Sequence, residues 1–430
     1  MDGRALRLTV PRSAHAVWEA GHDRDPQAIL RAIFANLIPE LVPVRIDRMS
    51  RSPFAFFRGS AAVMAADLAT LPRTGILTQI SGDAHIANFG GYASPDRRLV
   101  FDIDDFDETV CGPWEWDVKR LAASILLAGR ERGVRERACV LAVRTAMETY
   151  RDRIGEYAAR PSVEVWYAAI DLSGVVRTAL DDRARRAWVR TERDAKRKTG
   201  FAVLPKITEL VDGKRRFVDD PPLLERIEDL DFGRHVLTAY RAQLREDARV
   251  LLERFSVVDM ARKVVGVGSV GTWCALMLLL DGEGNPLLLQ LKEARASVLE
   301  PFAGGSQLMP AGERVVSGQR IMQAASDPLL GWAEVDGRDV YVRQYRDMKA
   351  APDVATLEDD ELRDYGAHCA WALARAHARA GDPRLIAGYV GRSSAFVAAV
   401  TAFAAAYAEQ ATQDHAQFVA GQQNGAGAVS

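Results

Sequence analysis

The sequence predicts an α+β protein built as two lobes around a cleft, and three observations lead there. The chain is 430 residues long, more than one small domain needs and enough for a two-lobed enzyme. Apolar residues recur at helical spacing towards both ends of the chain. Between those regions, from Arg262 to Tyr345, short apolar runs separated by turn residues read as a small hairpin-rich sheet.

Composition narrows the class further. With 48% hydrophobic and 27% charged residues, the chain is that of an ordinary globular protein rather than a disordered or fibrous one. Its 56 basic and 58 acidic side chains leave a net charge of -2, so neither nucleic acid nor an anionic membrane is the expected partner. The cysteines, Cys111, Cys139, Cys274 and Cys369, are isolated and never spaced as CxxC. That argues against a zinc site or a disulfide framework and fits a reducing cytoplasm. Met1 to Pro11 lacks the apolar core of a signal peptide, and Ser393 to Ala408, Ala-rich and too short to span easily, reads as a core helix.

In chain order, Pro26 to Leu71 reads as mainly helical, punctuated by prolines at 39, 43 and 53. Gly75 to Ile80 is a short strand and Leu99 to Ile103 another, and a strong amphipathic helix is expected from about Trp116 through Arg130. Residues 135 to 260 read as mostly helical. Within them Arg183 to Lys198 carries eight basic and two acidic residues, which is read as a solvated helix face. Asp231-Phe232-Gly233 spells a kinase metal motif but has no apolar strand before it, so it is taken as coincidence. Strands follow at 263–267, 274–280 and 286–292, a helix from about Arg314 to Ala325, and strands near 330–334 and 340–345. Helices over about 357–380 and 393–418 close the chain.

Ser81-Gly82-Asp83-Ala84-His85-Ile86-Ala87-Asn88 carries the most chemistry. Asp, two on His, three on Asn is the spacing of a phosphotransferase catalytic loop, in which a carboxylate orients or deprotonates an attacking hydroxyl and an amide oxygen reaches a metal. Leu99-Val100-Phe101-Asp102-Ile103-Asp104-Asp105-Phe106-Asp107-Glu108 follows, a strand running into acidic oxygens of the kind that suit Mg²⁺. Charge repulsion among those acids favours a bound cation over a solvated turn.

Gly266-Val267-Gly268-Ser269-Val270-Gly271 matches GxGxxG, a pattern shared by dinucleotide-binding folds and kinases. A dinucleotide fold needs a helix straight after Gly271, but Thr272 to Leu280 has no polar face and ends at the turn signal Asp281-Gly282. The strand reading is preferred. Lys292 in Leu289-Gln290-Leu291-Lys292-Glu293 then sits where a third-strand lysine would reach nucleotide phosphates. Its expected glutamate partner is left open, since neither Glu300 nor Glu313 is persuasive. Arg58, in Phe57-Arg58-Gly59, is suited either to bind a substrate anion or to tie the N-terminal helix to the catalytic loop, and the structural role is preferred.

Several segments closely resemble the bacterial family known as domain of unknown function 2252. They are Ser52-Pro53-Phe54-Ala55-Phe56-Phe57-Arg58-Gly59, Gly82-Asp83-Ala84-His85, the 101–108 run, Gln290-Leu291-Lys292-Glu293-Ala294, Gly318-Gln319-Arg320 and Tyr341-Val342-Arg343-Gln344. The loop also resembles that of aminoglycoside phosphotransferases and other protein-kinase-like enzymes, with Ser81 in place of their first histidine. That resemblance implies Asp83 as catalytic base with His85 beside it, Asn88 and either Asp102 or Asp105 as metal ligands with Asp105 slightly ahead, and Gly266, Gly268, Ser269, Gly271 and Lys292 as the nucleotide site. It implies ATP and Mg²⁺ as cofactors. Asp117 resembles the buried Asp that anchors such a loop from below.

The glycine loop follows the catalytic loop by about 180 residues, the reverse of a kinase, so the chain reads as circularly permuted. Leu373-Ala374-Arg375-Ala376-His377 resembles the helix that precedes a kinase catalytic loop. On that reading residues 255–348 form the nucleotide-binding part, 1–254 the catalytic part, and 349–430 its helical completion. The expected activity is transfer of a phosphoryl group to a hydroxyl of a small molecule or protein. Nucleotide binding without catalysis, as in a pseudokinase, and nucleotidyl transfer on the same fold are the alternatives.

Overall fold

The computed structural model describes residues 2–197, 200–264, 266–268, 270–304, 309–345, 348–349 and 351–426. The fold is α+β, with one larger sheet, three two-stranded ones and a predominantly helical remainder. Among the described residues no single helix is long and apolar enough to cross a membrane.

The N-terminal region is helical at Pro26–Phe34, Val42–Ser50, Pro53–Gly59 and Ala61–Ala69. Proline at a first helical position, with a side-chain cap before it, starts two of these: Asp25 accepts from the Ala28 amide at 2.8 Å, and Ser52 from Ala55 at 3.0 Å. Four short strands follow: β1 (Leu77–Ile80), β2 (Phe89–Ala93), β3 (Leu99–Ile103) and β4 (Val110–Pro113). β1 pairs with β4 and β2 with β3, both antiparallel. The Ser81–Asn88 loop therefore leaves one two-stranded sheet and enters the other. β2 and β4 are not among the strands expected from the sequence.

The helix Trp114–Arg132 is buried on every face from Trp114 to Gly129. A helix buried all round is ordinarily apolar, yet this one carries Glu115, Asp117, Lys119 and Arg120, each nearly inaccessible. Buried charge must find partners, and three of these find them in the strand and loop around it. Glu115 accepts from the Thr74 amide at 2.7 Å, Asp117 from the Ser81 and Gly82 amides, and Arg120 donates to Asp83. Helices Glu136–Ala158, Asp359–Ala380 and Ala395–Ala426 pack around it in one continuous core.

The larger sheet is antiparallel, in the order β11-β12-β10-β9-β8-β7. Its strands are β7 (Leu224–Ile227), β8 (Phe255–Lys263), β9 (Cys274–Asp281), β10 (Pro286–Glu293), β11 (Gly331–Val335) and β12 (Arg338–Gln344). The glycine run thus joins two neighbouring strands, and no helix follows Gly271. One sheet face packs on the helix Asp231–Gln243 through Val236, Leu237 and Tyr240. Asp231-Phe232-Gly233 opens that helix, with Asp231 exposed and bonded to Arg234, far in role from a metal motif. The region expected to be mostly helical up to 260 also contains β7, the start of β8 and a hairpin of β5 (Thr208–Val211) with β6 (Lys214–Phe217).

The two ends of the chain lie against each other. Arg7 Nε donates to the Tyr389 carbonyl at 2.9 Å, His15 Nε2 lies 2.8 Å from the Tyr389 hydroxyl, and Arg24 bridges Asp67 and Asp414 at 2.7 and 2.6 Å.

The helix Ala311–Met322 docks on the β1–β4 pair through Gly318, where an added Cβ would lie 2.4 Å from Thr109 Cγ2. Gly318→Ala is expected to destabilise by about 1–3 kcal/mol in urea unfolding through overpacking. Gly155→Ala, on an open helix face with nothing within 4 Å, is expected to stabilise by about 0.5–1 kcal/mol.

Candidate active site

The loop after β1 is shaped from below. Gly82 has φ +80°, and a Cβ there would lie 2.2 Å from the Glu108 carbonyl oxygen, so only glycine suits the position. Asp117 accepts from the Ser81 amide at 2.8 Å and the Gly82 amide at 3.0 Å, and lies 3.3 Å from His377 Nε2 on the Asp359–Ala380 helix. One helical turn on, Arg120 donates through Nε to Asp83 Oδ1 at 2.5 Å and through Nη2 to the Phe57 carbonyl at 2.9 Å. Asp83 Oδ2 is left toward His85, whose Nε2 stands 3.8 Å away, beyond hydrogen-bond distance. Asn88 Nδ2 donates to the Asp83 carbonyl at 2.9 Å, which leaves the amide oxygen as its free acceptor. The Asp104 amide closes the loop on the Asn88 carbonyl at 3.0 Å.

These residues line a cavity of about 710 Å³, within the usual range for ligand sites. Asp83, His85, Asn88, Asp105, Gly266 and Gly268 all contribute to its wall. Lys292 stands just behind it, donating to Asp107 Oδ2 at 2.5 Å. Gly271 is not on the wall; its carbonyl accepts from the Ile38 amide at 2.8 Å. Ser269 lies outside the described residues.

Asp102 does not face the cavity. It is fully buried, its two oxygens 2.7 and 2.8 Å from Arg375 Nη2, with the Ala324 amide also donating at 2.9 Å. Its oxygens are thus taken up by an ion pair with the C-terminal half rather than offered to the cavity, because strand alternation turns the side chain that way. Asp105, beyond the end of β3, is the acid of the pair that reaches the wall.

The partner that sequence reasoning left open for Lys292 is Asp107. Although burial opposes it, Asp105 and Asp107 hold the Lys292 ammonium well above its usual range. Against the same pull of burial, Lys292 and the Tyr341 hydroxyl keep the Asp107 carboxyl below its own. Asp105 is pushed up, by burial first and by Asp107 second. A cation beside Asp105 relieves that cost, and Asp105 with the Asn88 oxygen supplies hard oxygen donors suited to Mg²⁺. Among the described residues no cluster of three or more His, Cys, Asp or Glu is disposed to hold a metal, so a cation here would need its remaining ligands from outside these side chains.

The glycine loop is held from the N-terminal helices. Arg45 donates to the carbonyls of Gly268 and Val270 and Arg48 to that of Gly266. Burial brings the Arg45 guanidinium down to about 10. Arg58, expected to tie helix to catalytic loop, makes no hydrogen bond from its buried Nε; Arg120 does that work, and Arg45 ties the N-terminal helices to the glycine loop. Both were missed, although Asp117 and Arg120, three apart on one predicted helix face, were a legible signal.

A model of the family described as an uncharacterized protein conserved in bacteria (DUF2252) matches residues 37–421. No curated protein and no solved structure matches the chain.

Asp102→Asn is expected to cost about 3–5 kcal/mol in chemical denaturation, since it leaves a buried guanidinium without its charge partner. Burial also pushes the His85 imidazole down to about 3. Its folded value lies below its unfolded value of about 6.5, so the stability it contributes is present above pH ~6.5 and lost as pH falls towards ~3. In His85→Asn, the number of protons taken up on unfolding near pH 5, read from the pH dependence of urea stability, should fall by about one.

Proposed function

We infer that this chain, which belongs to the uncharacterized bacterial family DUF2252, is an ATP- and Mg²⁺-dependent phosphotransferase of protein-kinase-like fold, acting on a hydroxyl of a small molecule or protein. One observation carries the reading. Asp83, Asn88 and Asp105 share a single cavity with Gly266 and Gly268, which lie more than 150 positions further along the chain. Lys292, 185 residues after Asp107, closes on it from behind.

The order of the sheet supports it. A kinase covers the nucleotide with a glycine hairpin and reaches its phosphates with a lysine from the third strand. Here the glycine run joins β8 to β9, and Lys292 is on β10, next in the sheet. The packed chain ends support a circular permutation, because the Asp359–Ala380 helix, late in sequence, lies under the early loop through His377 and Arg375.

In this reading Asp83 positions the acceptor hydroxyl and takes its proton through Oδ2, with Arg120 fixing the carboxylate through Oδ1. His85, neutral in the physiological range, packs beside that oxygen without carrying charge. Gly266 gives its carbonyl to Arg48, so in a trans peptide the Val267 N–H turns the opposite way and is free for a phosphate oxygen. Lys292 stays charged for the phosphates. Mg²⁺, held by Asn88 and Asp105, would neutralise phosphate charge.

The closeness of Lys292 to Asp107 and Tyr341 favours a second reading, nucleotide binding without turnover, because the lysine is already engaged. ATP labelled in the γ or the α position separates the readings: γ-label in a product supports phosphoryl transfer, α-label nucleotidyl transfer, and bound label without product binding alone. Asp83→Asn should lower turnover by ~100-fold or more while leaving ATP affinity within about twofold; unchanged turnover would remove Asp83 from the chemistry.

A further inference from the structure

Pairing off the charges that line the cavity leaves a remainder. Asp83 has Arg120 at 2.5 Å, Asp107 has Lys292 at 2.5 Å, and Glu293 has Arg295 at 2.9 Å. Glu108 accepts from the Val298 amide at 2.8 Å and the Ser297 hydroxyl at 3.0 Å. Asp105 is the acid left for a cation. On the positive side two guanidinium groups remain. Arg45 spends its donors on neutral carbonyls, and its Nε is buried with no partner. Arg58 lies over the Phe54 ring, 5.8 Å from its centre, and its Nε is likewise buried and unbonded. No carboxylate lies within ion-pair distance of Arg58 among the described residues. Arg58 is half-buried; a guanidinium partly shielded from water gains from an anion, and it is the side chain best suited to a carboxylate or phosphate.

The wall beyond Arg58 is of another kind. Ile29, Ile33 and Leu37 from the N-terminal helical region, Ala62 from the Ala61–Ala69 helix, and Pro301 and Phe302 line it. Such a surface gains by covering hydrocarbon. Asp83 and Arg58 share the same cavity, so one small molecule can touch the apolar wall, the cation and the carboxylate together.

We propose that this part of the cavity is the acceptor subsite and takes an amphipathic anion: an apolar body against the Ile33–Phe302 wall, a carboxylate or phosphate on Arg58, and a hydroxyl toward Asp83. The role of acceptor rests on the phosphotransferase reading; the binding of the anion does not. No covalent step is added to the one already described.

The test is calorimetric titration of the full chain with 3-hydroxydecanoate and with its methyl ester, which keeps the body and hydroxyl and removes the charge. The acid should bind about tenfold more tightly than the ester or better, and Arg58→Met should abolish that preference. Ala32→Trp, at an exposed position on the cavity wall, should weaken acid and ester alike. It also serves as the second variant if Arg58→Met melts early by circular dichroism. MgATP affinity should stay within about twofold in both variants. Equal binding of acid and ester, a preference that survives Arg58→Met, or loss of MgATP binding in Arg58→Met would each overturn the proposal, the last by moving Arg58 to the nucleotide. Acid binding without transfer of label from ATP keeps the subsite and removes the phosphotransferase reading; label transfer to another acceptor with no acid binding does the reverse.

Discussion

The carboxylate of Asp117 is the point on which the rest of the molecule turns. It is buried, it sits in the first turn of the most deeply enclosed helix, and it accepts the amides of Ser81 and Gly82 while His377 approaches from the C-terminal half. A buried carboxylate is tolerated only when such donors converge on it. The loop geometry, and with it the direction of Asp83 and Asn88, follows from meeting that demand. Arg120 extends the same logic by one turn. Two of the charged residues that make Trp114–Arg132 an unusual core helix, Asp117 and Arg120, are those that fix the loop.

Much of the fold was legible because it rests on local pattern. The helices at 26–69, 114–132 and 359–380, and the strands β9, β10, β11 and β12, were located by period and by turn residues within a few positions, whereas the strand expected at 263–267 runs instead from Phe255 to Lys263 as β8. β2 and β4 were not, since β2 is buried throughout and shows no alternation and β4 is only four residues long. β5 to β7 are four residues each, too short for a period to register against helical neighbours.

Site legibility divides along the same line. Asp83, His85 and Asn88, which line one cavity, could be picked out together because loop spacing is written in consecutive residues. The Lys292–Asp107 pair spans 185 positions, and no local pattern encodes it. The choice between Asp102 and Asp105 depended on which way one strand end faces. Arg375, which decides it, lies 273 residues from Asp102.

The mutual packing of the chain ends has a consequence for synthesis. Val10 and His15 meet Tyr389, Arg24 adds Asp414 to its early partner Asp67, and Asp102 takes its cation from Arg375. A ribosome delivers the N-terminal region long before Tyr389, Asp414 or Arg375. Until the last helices emerge, the central helix keeps buried charges without their full complement and an apolar flank uncovered, conditions that slow folding and invite holdase chaperones. The Ser81–Asn88 loop is thus made early and completed last.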